Sequence, residues 1–216
     1  MPRSWNALAV VFVFAAAAPC AVTAQTDSLV PRTRHRHSAV GAMAGYSRSD
    51  LVGPDAQQLE SRQGSVTGVF LLTPVAGPLS FRPELLFSLK GGRTKTDNGL
   101  LDIELAYLEL PLIAKVTMSR RQVRPLIFAG PAPALQIGCD FQFITAQVST
   151  RSTCGEAAFS LFRTFDIGLV GGAGVEFHWP SSDLALEARY TAGLRSILDE
   201  AAVRNRAFGL VLALTF

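Results

Sequence analysis

Charge is scarce in this sequence: 17% of its 216 residues are Asp, Glu, Lys or Arg, against 49% hydrophobic. Long apolar runs are scarce too. After Gln25 no stretch approaches the ~20 residues that a membrane-spanning helix needs, so the apolar surface must be distributed some other way. Helical periodicity is nearly absent, and 18 Gly and 12 Pro punctuate the chain too often for a helical bundle. The formal charge of +3 is diffuse, without the clustered Lys and Arg and aromatic platforms of a nucleic-acid binder. Histidine occurs three times, as His35, His37 and His178, and no Ser stands with a His in the pattern of a hydrolase. The chain is read as non-enzymatic, with no catalytic residue, no cofactor and no metal.

What is present begins with a signal. Arg3 precedes an apolar run from Ala7 to Ala18, followed by the small-x-small pattern Val22-Thr23-Ala24. That predicts a secretory signal peptide over residues 1–24, cleaved after Ala24. Cys20 raises a lipoprotein alternative, disfavoured because Pro19 stands where a lipobox takes a small residue. Residues 25–37 then form a periplasmic flank containing "RTRHRH" (Arg32–His37). Two His do not complete a metal site, and such a run is ordinarily solvated, although it could grip acidic lipid headgroups.

From residue 38 to 216 the period is two. The end of the chain shows it best, with Phe208, Leu210, Leu212, Leu214 and Phe216 alternating with Ala207, Gly209, Val211, Ala213 and Thr215. Eight such strands are expected: Ser38–Arg48, Gly64–Thr73, Leu79–Gly91, Ile103–Thr117, Arg124–Cys139, Thr164–Trp179, Leu184–Ile197 and Asn205–Phe216. In the sixth, Phe165, Ile167, Leu169, Ala173, Val175, Phe177 and Trp179 share one face, and Asp166, Gly168, Gly172, Gly174, Glu176 and His178 the other. "GGAG" (Gly171–Gly174) therefore lies inside a strand, where Gly relieves crowding, and is no phosphate loop. His178 falls beside the turn at Pro180.

The connections alternate in length. "PVAGP", "MSRRQV" and "PSSD" are short; Ser49–Gln63, Gly92–Asp102 and Asp140–Arg163 are long and polar. Short periplasmic turns and long outer loops are the rule for outer-membrane barrels. The prediction is an all-β fold, an eight-stranded antiparallel up-and-down transmembrane β-barrel, with the last strand pairing to the first so that no edge remains. A soluble lipocalin-like barrel is the alternative. It would require the bulky face to point inward, and that face is too continuous to fit there.

The stretches "LSFRPELLFSLKGG", "YLELPLIAKV", "RPLIFAGPAPAL" and "NRAFGLVLALTF" resemble the small porin-like outer membrane β-barrel proteins of Gram-negative bacteria, the group that includes PorT-like proteins. The resemblance covers most of the expected mature chain. It implies an integral outer-membrane location, contact with outer membrane lipids, and a terminal signal (Phe208, Leu210, Leu212, Leu214 and Phe216) similar to the one read by the barrel assembly machinery. It implies no particular chemistry.

Charges within the strands fall on one phase: Arg82, Glu84 and Lys90; Glu109 and Lys115; Asp166 and Glu176; Glu187, Arg189 and Arg195. Facing lipid, a mid-membrane Arg or Lys costs ~2–4 kcal/mol. Facing inward, five acids and five bases can pair across a narrow lumen. The structural reading, a packed polar core, is preferred over an ion-selective pore because an eight-stranded interior is just wide enough for side chains. A small porin-like channel for ions or small solutes remains the alternative function.

Cys139 and Cys154 flank the longest loop in an oxidising compartment, and a disulfide between them is expected. Closing such a loop would contribute roughly 3 kcal/mol in the chain-entropy model. Phe141, Phe143 and Ile144 suggest that the strand continues past the membrane before turning. The loop 140–163 is where an envelope or surface partner would bind.

Overall fold

The computed structural model describes residues 37–52, 59–96, 99–118, 121–144, 149–153, 164–195 and 204–216. The expected signal peptide, most of the N-terminal flank with His35, and Cys154 lie outside the described residues.

Among the described residues, ten strands form one antiparallel sheet. They are β1 (Ala39–Val52), β2 (Leu59–Ala76), β3 (Leu79–Thr96), β4 (Gly99–Glu109), β5 (Leu112–Thr117), β6 (Val123–Ile144), β7 (Ser149–Thr153), β8 (Phe165–His178), β9 (Asp183–Gly193) and β10 (Arg204–Thr215). β4 and β5 are one strand in two pieces. Both pair with β3 in the same register, Leu86 opposite Glu109 and Pro83 opposite Leu112. Pro111 lies at the break because it has no N–H to donate, while its carbonyl still accepts from Glu84 at 2.9 Å. Counting β4 and β5 together and setting aside β7, a hairpin partner of upper β6, eight strands close the ring when β10 pairs with β1 from Gly41–Thr215 to Val52–Arg204.

Register fixes the shape. Stepping around the ring from Gly41 passes Phe70, Glu84, Pro111, Ala132, Gly168, Gly193 and Asn205, and arrives back in β1 at Leu51, ten residues above the start. A stagger of that size goes with strands tilted about 40° and a lumen wide enough for side chains alone.

The two faces sort as the alternation predicts. Along β10, Phe208, Leu210 and Leu212 are about half exposed and Leu214 is partly covered, while Ala207, Val211, Ala213 and Thr215 are buried. In β8, Asp166, Gly168, Val170 and Glu176 point in, and Ile167, Leu169 and Phe177 point out. The outward surface is a belt of large apolar side chains, which only hydrocarbon covers without penalty.

Two expectations need correction. The long polar connections are largely strand. β1 runs on to Val52, β2 starts at Leu59, β3 and β4 are separated only by residues 97 and 98, and β6 reaches Ile144 before β7. With 18 residues in β3 and 22 in β6, these strands exceed the ~9–11 that a tilted strand needs to cross hydrocarbon. In water neither face need be greasy, so the apolar alternation disappears while the ladder continues. The seventh expected strand, by contrast, ends early, at Gly193.

The chain turns tightly at the other end. Gly77 supplies the positive φ (54°) of the β2–β3 turn. Near the loop end, Gly91 has φ 147°, and a Cβ there would lie 1.9 Å from the Ile103 carbonyl oxygen. Only glycine lets β3 shift faces at that point. An extra residue at Ile137, between the pairs Ala106–Gly138 and Tyr107–Gln136, does the same for β6.

Candidate functional site

The lumen is the candidate site. Its centre is built from two short sequences, Arg82-Pro83-Glu84 on β3 and Glu187-Ala188-Arg189 on β9. In the ring these strands are four places apart, directly across the barrel. A period of two points both charges of each strand inward, and the two orders are complementary. Arg82 therefore meets Glu187 through two bonds of 2.5 and 2.8 Å, and Arg189 meets Glu84 at 2.7 and 3.3 Å. Arg82 Nε also lies 2.9 Å from Glu84. Two-pronged guanidinium–carboxylate pairs of this kind fix geometry as well as charge.

Aromatic rings close the remaining space. The Arg82 guanidinium lies 5.4 Å from the centre of Phe70 and 5.3 Å from that of Phe128, and Arg189 lies 5.4 Å from Phe128. Each ring occupies room left by a glycine. A Cβ at Gly41 would fall 2.1 Å from the Phe70 ring, and one at Gly172 would fall 2.5 Å from that of Phe128. Met43 completes the layer, its sulfur 3.4 Å from Arg189. Arg82, Glu84 and Glu187 are at most 1% exposed.

Below this layer, toward the short turns, Lys115 reaches Glu176 at 2.5 Å, and Arg124 joins the same carboxylate at 3.4 Å. At the mouth His178 pairs with Asp183 at 2.5 Å. Above the layer, Lys90 lies 2.7 Å from Glu109 and 5.5 Å from the Tyr107 ring, and Ser88 donates to Glu109. At the loop end, Arg62 contacts both Asp102 and Glu104, and Arg93 joins Asp102 at 3.1 Å. There the Ser49 hydroxyl accepts the Gly91 N–H at 3.0 Å.

Nine of the ten charges predicted for the lumen thus have buried side chains, and eight of them pair. Asp166 is buried, but its carboxylate caps the N–H of Ile167 rather than a cation. Arg195 is the correction. It follows the end of β9 at an exposed position, so the alternation of that strand does not extend to it.

The sequence reading missed Met43, Phe70 and Phe128, because it assigned bulky apolar side chains outward, and it missed the Arg62–Asp102–Glu104 cluster, because it read that region as loop. Val66, Gly68 and Phe70 follow the same phase as Arg62, whose side chain turns inward to Asp102 and Glu104.

Of the other predicted residues, Phe216 donates its N–H to Val40 at 2.9 Å, continuing the β10–β1 ladder. His37 is exposed at the start of the described chain. Cys139 is buried at the upper part of β6, while Cys154, its expected partner, lies outside the described residues. Among the described residues no group of three or more His, Cys, Asp or Glu is arranged to hold a metal ion.

Voids mark the upper lumen. One of about 40 Å³ is lined by Ser47, Ser88, Lys90, Glu109 and Arg189 among others, and a second of about 10 Å³ lies by Asp166, Thr191 and Asn205. The Ser47 and Tyr107 hydroxyls and both amide atoms of Gln136 and Asn205 are buried at these levels without a protein partner. A void of ~10–15 Å³ is enough for one water, so this region has room for a few.

The family model for the outer membrane protein beta-barrel domain matches residues 23–199. No curated protein matches the chain by sequence. Similar solved structures include neisserial surface protein A, NspA (15% identity over 83% of this chain and 98% of that one, TM-score 0.47). Ail, the attachment invasion locus protein of Yersinia pestis, is 14% identical over 82% of this chain and 98% of its own, with TM-score 0.41. The outer membrane enzyme PagL is 12% identical over 82% and 98%, with TM-score 0.42.

Proposed function

Because the chain belongs to the outer membrane protein beta-barrel domain family, we propose that this outer membrane barrel is a structural and interaction protein, closed to solutes and engaged with partners through its loop end. The observation that carries the closed reading is the pairing of Arg82 with Glu187 and of Glu84 with Arg189 across the full width of the lumen. A solute would have to part charges that are buried and mutually satisfied, leaving each unpaired in a low-dielectric interior.

The partner surface is assigned to residues 140–163. Upper β6 and β7 pair from Asp140–Thr153 to Ile144–Ser149, which carries a stiff hairpin beyond the hydrocarbon. A bond from Cys139 to Cys154 would staple its base. The outward alternation from Phe208 to Phe216 is the signal offered to the barrel assembly machinery.

Planar-bilayer recording on the refolded full chain tests the closed reading. No reproducible conductance steps are expected. Large, stable steps from the wild-type protein would overturn it in favour of a small porin-like channel.

A further inference from the structure

The outward face of the β9–β10–β1–β2 half of the ring carries a cationic ledge at its loop end. Arg48 on β1 and Arg204 and Arg206 on β10 are all exposed on outward positions. Arg48 stands opposite Phe208, and Arg206 stands opposite Asp50, so the Arg48 and Arg206 positions are diagonal neighbours across the closing pair of strands. Asp50 is the acid on this ledge and can offset one of the three guanidiniums.

The height of the ledge is informative. Counting up from Ala39 in β1, Arg48 is the tenth residue; counting up from Thr215 in β10, Arg206 is also the tenth. A tilted strand clears the hydrocarbon after ~9–11 residues. Both guanidiniums therefore emerge at the headgroup level of the outer leaflet. Immediately below them, Tyr46, Phe208 and Tyr190 are each about half exposed, with Leu210 beneath. Phe208 lies between the other two levels, opposite Arg48 on one side and Tyr190 on the other.

Beside the ledge is an open polar recess of about 490 Å³, lined by Arg48, Asp50, Glu60, Ser61, Gln63 and Arg93. Within it Arg48 Nε donates to Ser61 at 2.6 Å, which holds the side chain toward the recess. The opposite side of the barrel differs. At the same end of β4 and β6, Leu101 pairs with Phe143 and Ile103 with Phe141 on the face away from Asp102.

We propose that this ledge binds a phosphorylated glycolipid of the outer leaflet. The Arg48 and Arg206 guanidiniums grip a headgroup phosphate, the sugar occupies the polar recess, and the acyl chains lie against Tyr46, Phe208 and Leu210. Guanidinium forks match phosphate oxygens two at a time. With Arg48 engaged by the phosphate and Arg93 by Asp102, Asp50, Glu60, Ser61 and Gln63 are left to line the recess, which suits a neutral polyhydroxyl better than a second anion. The apolar strip is continuous with the phosphate-binding groups, and that continuity selects a lipid over free phosphate.

The test is native mass spectrometry of the folded full chain, released from nanodiscs containing a lipid A-type phosphorylated disaccharide glycolipid. Wild-type protein should retain the glycolipid, with at least tenfold less retention for its dephosphorylated form. R48Q/R206Q should lose retention to a similar degree, while R121Q at the opposite mouth should leave it unchanged. Millimolar inorganic phosphate should not displace the glycolipid, because it lacks the apolar half of the contact. Equal retention of phosphorylated and dephosphorylated forms by wild-type protein would overturn the proposal, whatever the variants do. So would full retention by R48Q/R206Q, or displacement by inorganic phosphate.

Discussion

The middle and the upper part of the lumen are made from the same kinds of residues and packed differently. In the middle, Arg82, Glu84, Glu187 and Arg189 pair with one another, and Phe70, Phe128 and Met43 pack around them. Above, Lys90 and Glu109 are paired, but voids of about 40 and 10 Å³ adjoin them and four neighbouring side chains keep buried polar atoms without a protein partner. The difference lies in reach across the barrel. Arg is long enough to meet Glu over the full diameter between β3 and β9, so one pair spans the lumen. Lys90 and Glu109 sit on adjacent strands, and their bond runs along the wall. Charge carried across a lumen closes it; charge carried along its wall leaves room for water.

The largest effect should come from breaking the middle layer. E187Q removes the counter-charge of a guanidinium that is 1% exposed. Arg82 and Arg189 are then left to share Glu84, and breaking a buried pair in this way costs about 3–5 kcal/mol, read as a shift in the urea midpoint of the refolded barrel in micelles. K90M should cost less, because the voids beside Glu109 let water take over part of its solvation. Equal shifts for the two variants would erase the distinction between the levels.

A second, smaller effect should come from the floor on which the rings lie. G41A places a methyl group against the Phe70 ring and the Leu214 carbonyl, and G172A places one against the Ala188 carbonyl and the Phe128 ring. Overpacking of this kind costs about 1–3 kcal/mol. Both variants should lower the temperature at which the heat-modifiable gel band converts to its unfolded mobility. A matching substitution, G138A, whose nearest contact is the Ala106 Cβ at 3.2 Å, should shift it less. If all three shift alike, the rings are not what makes the middle layer tight.

The middle layer was half legible in the sequence. Arg82, Glu84, Glu187 and Arg189 stand two apart within strands, and a charge on an otherwise apolar strand has nowhere to go but inward. Their pairing was not legible. It depends on β3 and β9 facing each other at one level, which is set by eight strands and a ten-residue stagger, and no local pattern encodes that stagger. Phe70 and Phe128 were misread for a related reason. On β2 both faces carry apolar residues, Val69 and Leu71 outward and Val66 and Phe70 inward, so alternation alone does not say which face is the lumen. The loop-end extensions of β1 to β4 and β6 were illegible because a strand paired in water has no required greasy face. Arg195 marks the opposite error, in which a periodic pattern outran its strand.

At the outer edge of the comparison is the bond expected between Cys139 and Cys154. Cys139 lies just below the point where β6, still paired with β4, takes β7 as its other neighbour. Non-reducing peptide mapping should recover Cys139 joined to Cys154. C154S should leave the urea midpoint of the barrel nearly unchanged, since the roughly 3 kcal/mol of loop-closure entropy stabilises the exposed loop and not the β-ladder, while trypsin cleaves the loop faster. A large fall in the midpoint would show that the loop end supports the lumen layers rather than standing on them.

The smallest effect is the most discriminating. Asn205 is 4% exposed, both of its amide atoms lack a protein partner, and it lines the 10 Å³ void together with Lys90, Asp166 and Thr191. If that void were dry, the amide would carry the full desolvation penalty of an unmade bond, about 1–3 kcal/mol, and replacing it by an apolar group of similar size would stabilise the barrel. If a water bridges it, the amide is nearly as well satisfied as by a direct bond. The polar lining favours the second case. N205L should therefore be neutral or destabilising by less than about 1 kcal/mol, and a water cross-peak to the Asn205 side-chain amide should appear in the NMR spectrum of the wild-type barrel in micelles. A clear gain in stability for N205L, with no such cross-peak, would mean that the upper lumen is as dry as the middle and merely less well packed.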